Sequence, residues 1–165
     1  IFSKIESVKI NSIIMETSNS IGRLGLIRGQ FLDISSFQKS RTIKELKACY
    51  YLKTGVLFEN AVKIGALMGK ADKREIKILE RFGRNIGLAY QIRDDILDGS
   101  LPSKKSGKDQ NIDLRNKKPT YVSILGLEKA RYELTSLTYN ISKDLKRLSL
   151  NTTRLLDLVN FISHT

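Results

Sequence analysis

Asp94, Asp95 and Asp98 stand within five positions of the stretch LAYQIRDDILDG, residues 88–99, beside Ile92, Ile96 and Leu97. Like charges three or four residues apart on a helix repel, at about a few tenths of a kcal/mol per pair. A cation, a neighbouring basic residue or plain solvent could offset that cost. Carboxylates are hard oxygen ligands, and no soft donor lies nearby, so the fitting cation is magnesium rather than zinc or copper. Magnesium is typically held by one or two carboxylates while substrate phosphates complete its shell. Lys53 upstream, with Lys108 and Lys118 downstream, would then neutralise diphosphate oxygens that the metal does not reach. For the aspartates alone, a solvated acidic helix end and a metal site both stay open.

Composition removes several other chemistries. Cys49 is the only cysteine and His164 the only histidine, which leaves no internal disulfide, no histidine zinc site and no histidine-based nucleophilic triad. The 165 residues, 41% of them hydrophobic, suffice for one domain with a real core. A net charge of +12 invites a nucleic-acid or anionic-ligand reading. The basic residues are nevertheless spread out, with a modest concentration at Lys104, Lys105, Lys108, Arg115, Lys117 and Lys118. No run of about 18 apolar residues occurs, so no transmembrane helix is expected. The first residue is Ile1 and the opening stretch is not a signal peptide, so the chain is expected to have lost its true start. The abundance of Ile, Lys and Asn suits an AT-rich genome such as an organelle's.

The elements that must position these groups read as helices. Residues 3–19 form a helical pattern through Ile5, Val8, Ile13 and Ile14, and residues 36–41 read as a loop. From Thr42 to about Met68 the apolar positions Ile43, Leu46, Tyr50, Leu57, Ala61, Ile64 and Met68 keep a helical period. Position 53 should extend that stripe and holds Lys53, which must snorkel outward or meet an anion. Asp72 is a suitable N-cap for a helix over about 73–98, with Ile76, Leu79, Phe82, Ile86, Ala89 and Ile96 on its apolar face. A second row on that helix runs Gly83, Gly87, Gln91, Asp94 and Asp98. Glycine costs about 1 kcal/mol within a helix, so the pair implies a neighbouring backbone close by, with the carboxylates opening beyond it. Residues 99–118 have turn chemistry, a helix is expected from about Thr120 to Leu148, and a short one over about 152–162.

These segments together resemble the trans-type isoprenyl (polyprenyl) diphosphate synthases, closest to the geranylgeranyl and farnesyl diphosphate synthases. Residues 88–98 resemble the family's second aspartate-rich motif, DDxxD. GQFLD (29–33) resembles its GQ-x-x-D segment, LKTG (52–55) its KTG segment, and SGKDQNIDLRNKKPTY (106–121) its GK-x-x-G-x-D-x-x-x-x-K-x-T-Y stretch. LGLEKAR (125–131) is also typical. Tyr90, Asn111 and Val122 replace the family's usual phenylalanine, glycine and proline.

The resemblance implies an all-α isoprenoid-synthase bundle around a central cavity. It implies a magnesium-dependent prenyltransferase that condenses isopentenyl diphosphate with an allylic prenyl diphosphate by ionisation, condensation and elimination. Carried over, Asp94, Asp95 and Asp98 would be metal ligands, and Lys53, Lys108 and Lys118 would contact the allylic diphosphate. Thr54 and Gln91 would line the reacting prenyl group, and Gln30 and Asp33 would support the cavity floor and its polar network. A homodimer is implied, as is a plastid (chloroplast stroma) location, with the cytoplasm as the alternative.

One departure is an absence. Family members run to nearly twice this length, and no first aspartate-rich motif or isopentenyl-diphosphate-binding arginine pair precedes residue 88. Residues 1–165 are thus expected to form the C-terminal portion of one synthase domain, as a truncated piece or as a subunit completed by another polypeptide, with little turnover alone. Two other readings are a non-catalytic partner that tunes another synthase, and a basic helical module that binds nucleic acid. The second leaves Lys53 and the DDILD cluster unexplained.

Overall fold

One long helix, Lys73–Ser100, organises the molecule: every other helical segment except the first two packs against it. The computed structural model describes residues 7–35, 41–100 and 118–164, and no strand occurs among the described residues. In chain order the elements are α1 (Ser7–Ile21), α2 (Leu26–Ile34), α3 (Ile43–Tyr50), a π-helical turn (Tyr51–Gly55), α4 (Val56–Met68) and α5 (Lys73–Ser100). They continue with α6 (Tyr121–Leu125), α7 (Leu127–Leu145) and α8 (Thr153–Ser163). The all-helical expectation holds.

Local chemistry explains where these helices start. Thr42 and Glu45 form a capping box on α3: Thr42 Oγ1 accepts from Glu45 N at 3.3 Å, and Thr42 N donates to Glu45 Oε2 at 2.8 Å. Asp72 Oδ1 accepts from Arg74 N and Glu75 N at 2.7 and 2.8 Å, the cap read from sequence. Thr120 caps α6 through Ser123 N at 3.0 Å.

The core lies along one face of α5, where Leu79, Phe82, Ile86, Ala89, Ile92 and Ile96 are buried at helical spacing. Leu46 and Tyr50 of α3, Leu134 and Ile141 of α7, and Val159 and Ile162 of α8 close over them. Burying each large apolar side chain contributes roughly 1.5–3 kcal/mol. Leu97, read as part of a buried helix, is exposed.

The stretch 42–68 is not one regular helix, which corrects the sequence reading. YLKTG winds as a π turn, which admits one extra residue and advances the register beyond it. Phe58, Val62 and Ala66 consequently face the core where Leu57 and Ala61 were expected, and Met68 is exposed. A second correction concerns residues 120–148: Gly126, at φ +82° and ψ 158°, separates α6 from α7, and α7 ends at Leu145. Helical φ is negative, so a left-handed glycine ends one helix and turns the chain into the next.

Candidate active site

Two close backbone approaches place the KTG segment. A Cβ added to Gly29 of α2 would collide with the backbone of Leu52 and Lys53, and one added to Gly87 of α5 would sit 2.6 Å from Gly55 Cα. The π turn is thus held between α2 and α5 with glycines at these close backbone approaches. This is the close backbone that the Gly83–Gly87 row implied, since a Cβ on Gly83 would likewise meet Glu59 Cα at 2.6 Å.

The tight packing brings Lys53 to Asp33. Asp33, on α2 and 5% exposed, accepts on Oδ2 from Lys53 Nζ at 2.7 Å and from Lys118 Nζ at 2.8 Å. Three segments separated by up to 85 residues therefore meet on one carboxylate oxygen. Burial alone would raise the Asp33 pKa, but the hydrogen bonds and charges of Lys118 and Lys53 outweigh it and hold the carboxyl below its ordinary value. Of the two options open to a lysine on an apolar stripe, snorkelling outward or meeting an anion, Lys53 takes the second.

The aspartates of α5 differ in their surroundings. Asp94 is half-buried, and its pKa is raised by desolvation first and by the Asp98 charge second, while Arg93 and Lys53 oppose the shift. Asp98, one helical turn on, is exposed. Asp95 is held differently: its Oδ2 accepts from Tyr50 Oη at 2.6 Å and from Tyr121 N at 2.7 Å. Burial raises the Asp95 carboxyl above its ordinary value even though both hydrogen bonds and Lys118 favour the charged form. Among the described residues, no three His, Cys, Asp or Glu side chains group so as to hold a metal. Asp95 is engaged through Oδ2 with α3 and α6.

Asp94 and Asp98 are a pair of hard oxygen donors at i and i+4 of α5, and the Arg93 and Lys53 charges offset part of their repulsion. That donor set fits magnesium held by two carboxylates and completed by phosphate oxygens, and it does not fit a soft metal. Lys53 bears on Asp94 electrostatically and bonds Asp33, so one ammonium group acts on both carboxylates.

Of the other expected residues, Thr54 and Gln91 are half-buried on the π turn and α5, on elements that pack together. Gln30 is exposed on α2. Lys108 lies outside the described residues, as do Lys104, Lys105, Asn111, Arg115, Lys117 and most of the 36–41 and 99–118 segments. Tyr50 and the Tyr121 amide were missed as partners of Asp95. Their signal was weak: Tyr50 read as a core position, and Tyr121 stood in the KPTY segment with no indication that its backbone mattered.

The sequence matches the polyprenyl synthetase family over residues 1–153. The farnesyl diphosphate synthase of Escherichia coli (strain K12) is 36% identical over 155 residues, which cover 92% of this chain and 52% of that protein. A chloroplastic geranylgeranyl pyrophosphate synthase from Capsicum annuum is 40% identical over 124 residues, 74% of this chain and 34% of that one. A geranyltransferase from Helicobacter pylori, solved in complex with magnesium and isoprenyl diphosphate, superposes with a TM-score of 0.77 at 29% identity. That superposition covers 96% of this chain and 52% of the other. The chain spans about half the length of such relatives or less. Because the family match runs through all five motifs and through the helices that bring Lys53, Lys118 and the α5 aspartates together, the chain belongs to the polyprenyl synthetase family.

Proposed function

We propose that this chain supplies the allylic-diphosphate half of a prenyltransferase that joins isopentenyl diphosphate to an allylic prenyl diphosphate. The observation that carries the reading is the meeting of Lys53 and Lys118 on Asp33, beside Asp94. In the condensation, the allylic carbon–oxygen bond breaks, the isopentenyl double bond attacks the resulting cation, and a proton is lost. Diphosphate leaves with high negative charge, so stabilising that charge is the principal demand on the site.

Asp94 and Asp98 would hold magnesium, which supplies electrostatic stabilisation of the departing diphosphate when bound. Lys53 and Lys118 would neutralise other diphosphate oxygens, and Lys108 is proposed to join them. Asp33 keeps the two lysine ammonium groups at fixed positions, so little reorganisation is needed as charge develops. Thr54 and Gln91 would line the reacting prenyl group, and Gln30 would support the polar network of the floor. None of these steps calls on the single histidine or cysteine.

The completed protein would be a homodimer, or a heteromer with a chain supplying the first aspartate-rich motif. The exposed apolar side chains Ile14, Met15, Leu24, Ile27, Phe31 and Ile34 on α1, α2 and their connection support a covering polypeptide there. No helix among the described residues is long and apolar enough to cross a membrane. A plastid stroma location is proposed from the composition together with the chloroplastic relative.

Calorimetric titration of inorganic diphosphate with and without magnesium tests the reading. Wild type should bind far more tightly with the metal, and Asp94→Ala should abolish that gain. Equal binding by both proteins would overturn the assignment. Steep loss of binding with salt and indifference to magnesium would favour the nucleic-acid reading instead.

A further inference from the structure

We propose that Asp95 is a positioning residue that staples the lysine-bearing 118–121 segment onto α5, rather than a metal ligand. The inference rests on the diphosphate-site reading and specifies which of the three aspartates does what within it.

Tyr121 is the first residue of α6, and backbone N–H groups in the first turn of a helix have no intrahelical acceptor. Thr120 Oγ1 caps only Ser123 N. The Tyr121 N–H is satisfied instead by Asp95 Oδ2 at 2.7 Å, so the start of α6 is tied to α5 through one carboxylate oxygen. Tyr50 Oη donates to the same oxygen at 2.6 Å, and the Tyr50 and Tyr121 rings stack with centroids 6.3 Å apart. Both tyrosines are fully buried. Asp95 therefore sits where α3, α5 and α6 meet.

The consequence for the site follows from chain connectivity. Lys118 lies three residues before Tyr121, and Pro119 between them is buried. Fixing the Tyr121 amide to α5 fixes the approach of Lys118 Nζ to Asp33 Oδ2. The two donors occupy Oδ2: a cation on that oxygen would have to displace a hydroxyl and an amide for which no other acceptor is found among the described residues.

The test compares two variants of equal charge. Asp95→Asn keeps an oxygen that accepts both hydrogen bonds, and Asp95→Ala removes it. Amide exchange at Tyr121, followed by NMR, should be within about threefold of wild type in Asp95→Asn. It should be faster by tenfold or more in Asp95→Ala. Titration of inorganic diphosphate in chelator, where only the lysines act, should give an affinity in Asp95→Ala about tenfold below that of Asp95→Asn. Added magnesium should increase the affinity of Asp95→Asn as much as that of wild type.

Loss of the magnesium gain in Asp95→Asn, as in Asp94→Ala, would overturn the proposal and make Asp95 a ligand. Equal metal-free affinities in the two Asp95 variants would also overturn it. Should Asp95→Ala not fold, Asp95→Asn decides alone by whether it keeps the magnesium gain. A wild-type chain indifferent to diphosphate would refute the site reading itself, while the exchange rate at Tyr121 would still report the staple.

Discussion

Replacing Asp33 by asparagine removes the charge that two lysines share while keeping the shape of the side chain. Each Lys–Asp33 contact is a charge-assisted hydrogen bond, of a kind that contributes about 1.5–3 kcal/mol where water is excluded. Lys53 and Lys118 are 26% and 31% exposed, however, so water competes for both ammonium groups. Asparagine also retains one acceptor. A destabilisation of about 2 kcal/mol is therefore expected, equivalent to about 4–8 °C in Tm for a chain of this size. The pH dependence supplies the sharper check. Burial pushes Asp33 up, but Lys118 and Lys53 hold its folded-state pKa below the ordinary 3.8, so its stabilisation is present above that value and lost as pH falls through the folded one. Urea unfolding of both proteins from pH 7 to pH 2 should show a full gap at neutral pH that narrows below about pH 3.8. A gap independent of pH, or none at pH 7, would refute the reasoning.

Two further outcomes are expected. Gly87→Ala should lower the unfolding free energy read from urea titration by about 1–3 kcal/mol or more, because its Cβ would meet Gly55 Cα at 2.6 Å with backbone on both sides. Gly65→Ala on α4, with nothing within 4 Å of the added carbon, should instead gain about 0.5–1 kcal/mol of helix propensity, and the opposite order would contradict the packing described. Magnesium-dependent diphosphate binding should weaken on acidification from a higher pH than an ordinary aspartate would impose, since desolvation and Asp98 raise the Asp94 pKa and the metal needs the ionised carboxylate. Calorimetry at a series of pH values reads this directly, and an affinity that holds down to pH 4 would count against Asp94 as a ligand.

The amino-acid sequence by itself determined the all-helical class, the Asp72 cap, the glycine row of α5 and the placement of a charge, Lys53, on an apolar stripe. Each of these is a local matter: a period of 3.6, a cap within one turn, or a charge on an apolar stripe. The tertiary structure alone decided that Lys53 and Lys118 share Asp33, because contacts across 20 and 85 residues depend on how helices approach one another. It also decided that Asp95 parts company with Asp94 and Asp98, since adjacent helix positions point about 100° apart and only packing says which side holds Tyr50 and Tyr121. The register beyond Gly55 shifted for a related reason: one extra residue in the π turn is invisible to a periodicity count, yet it rotates every later side chain of α4 toward a new face.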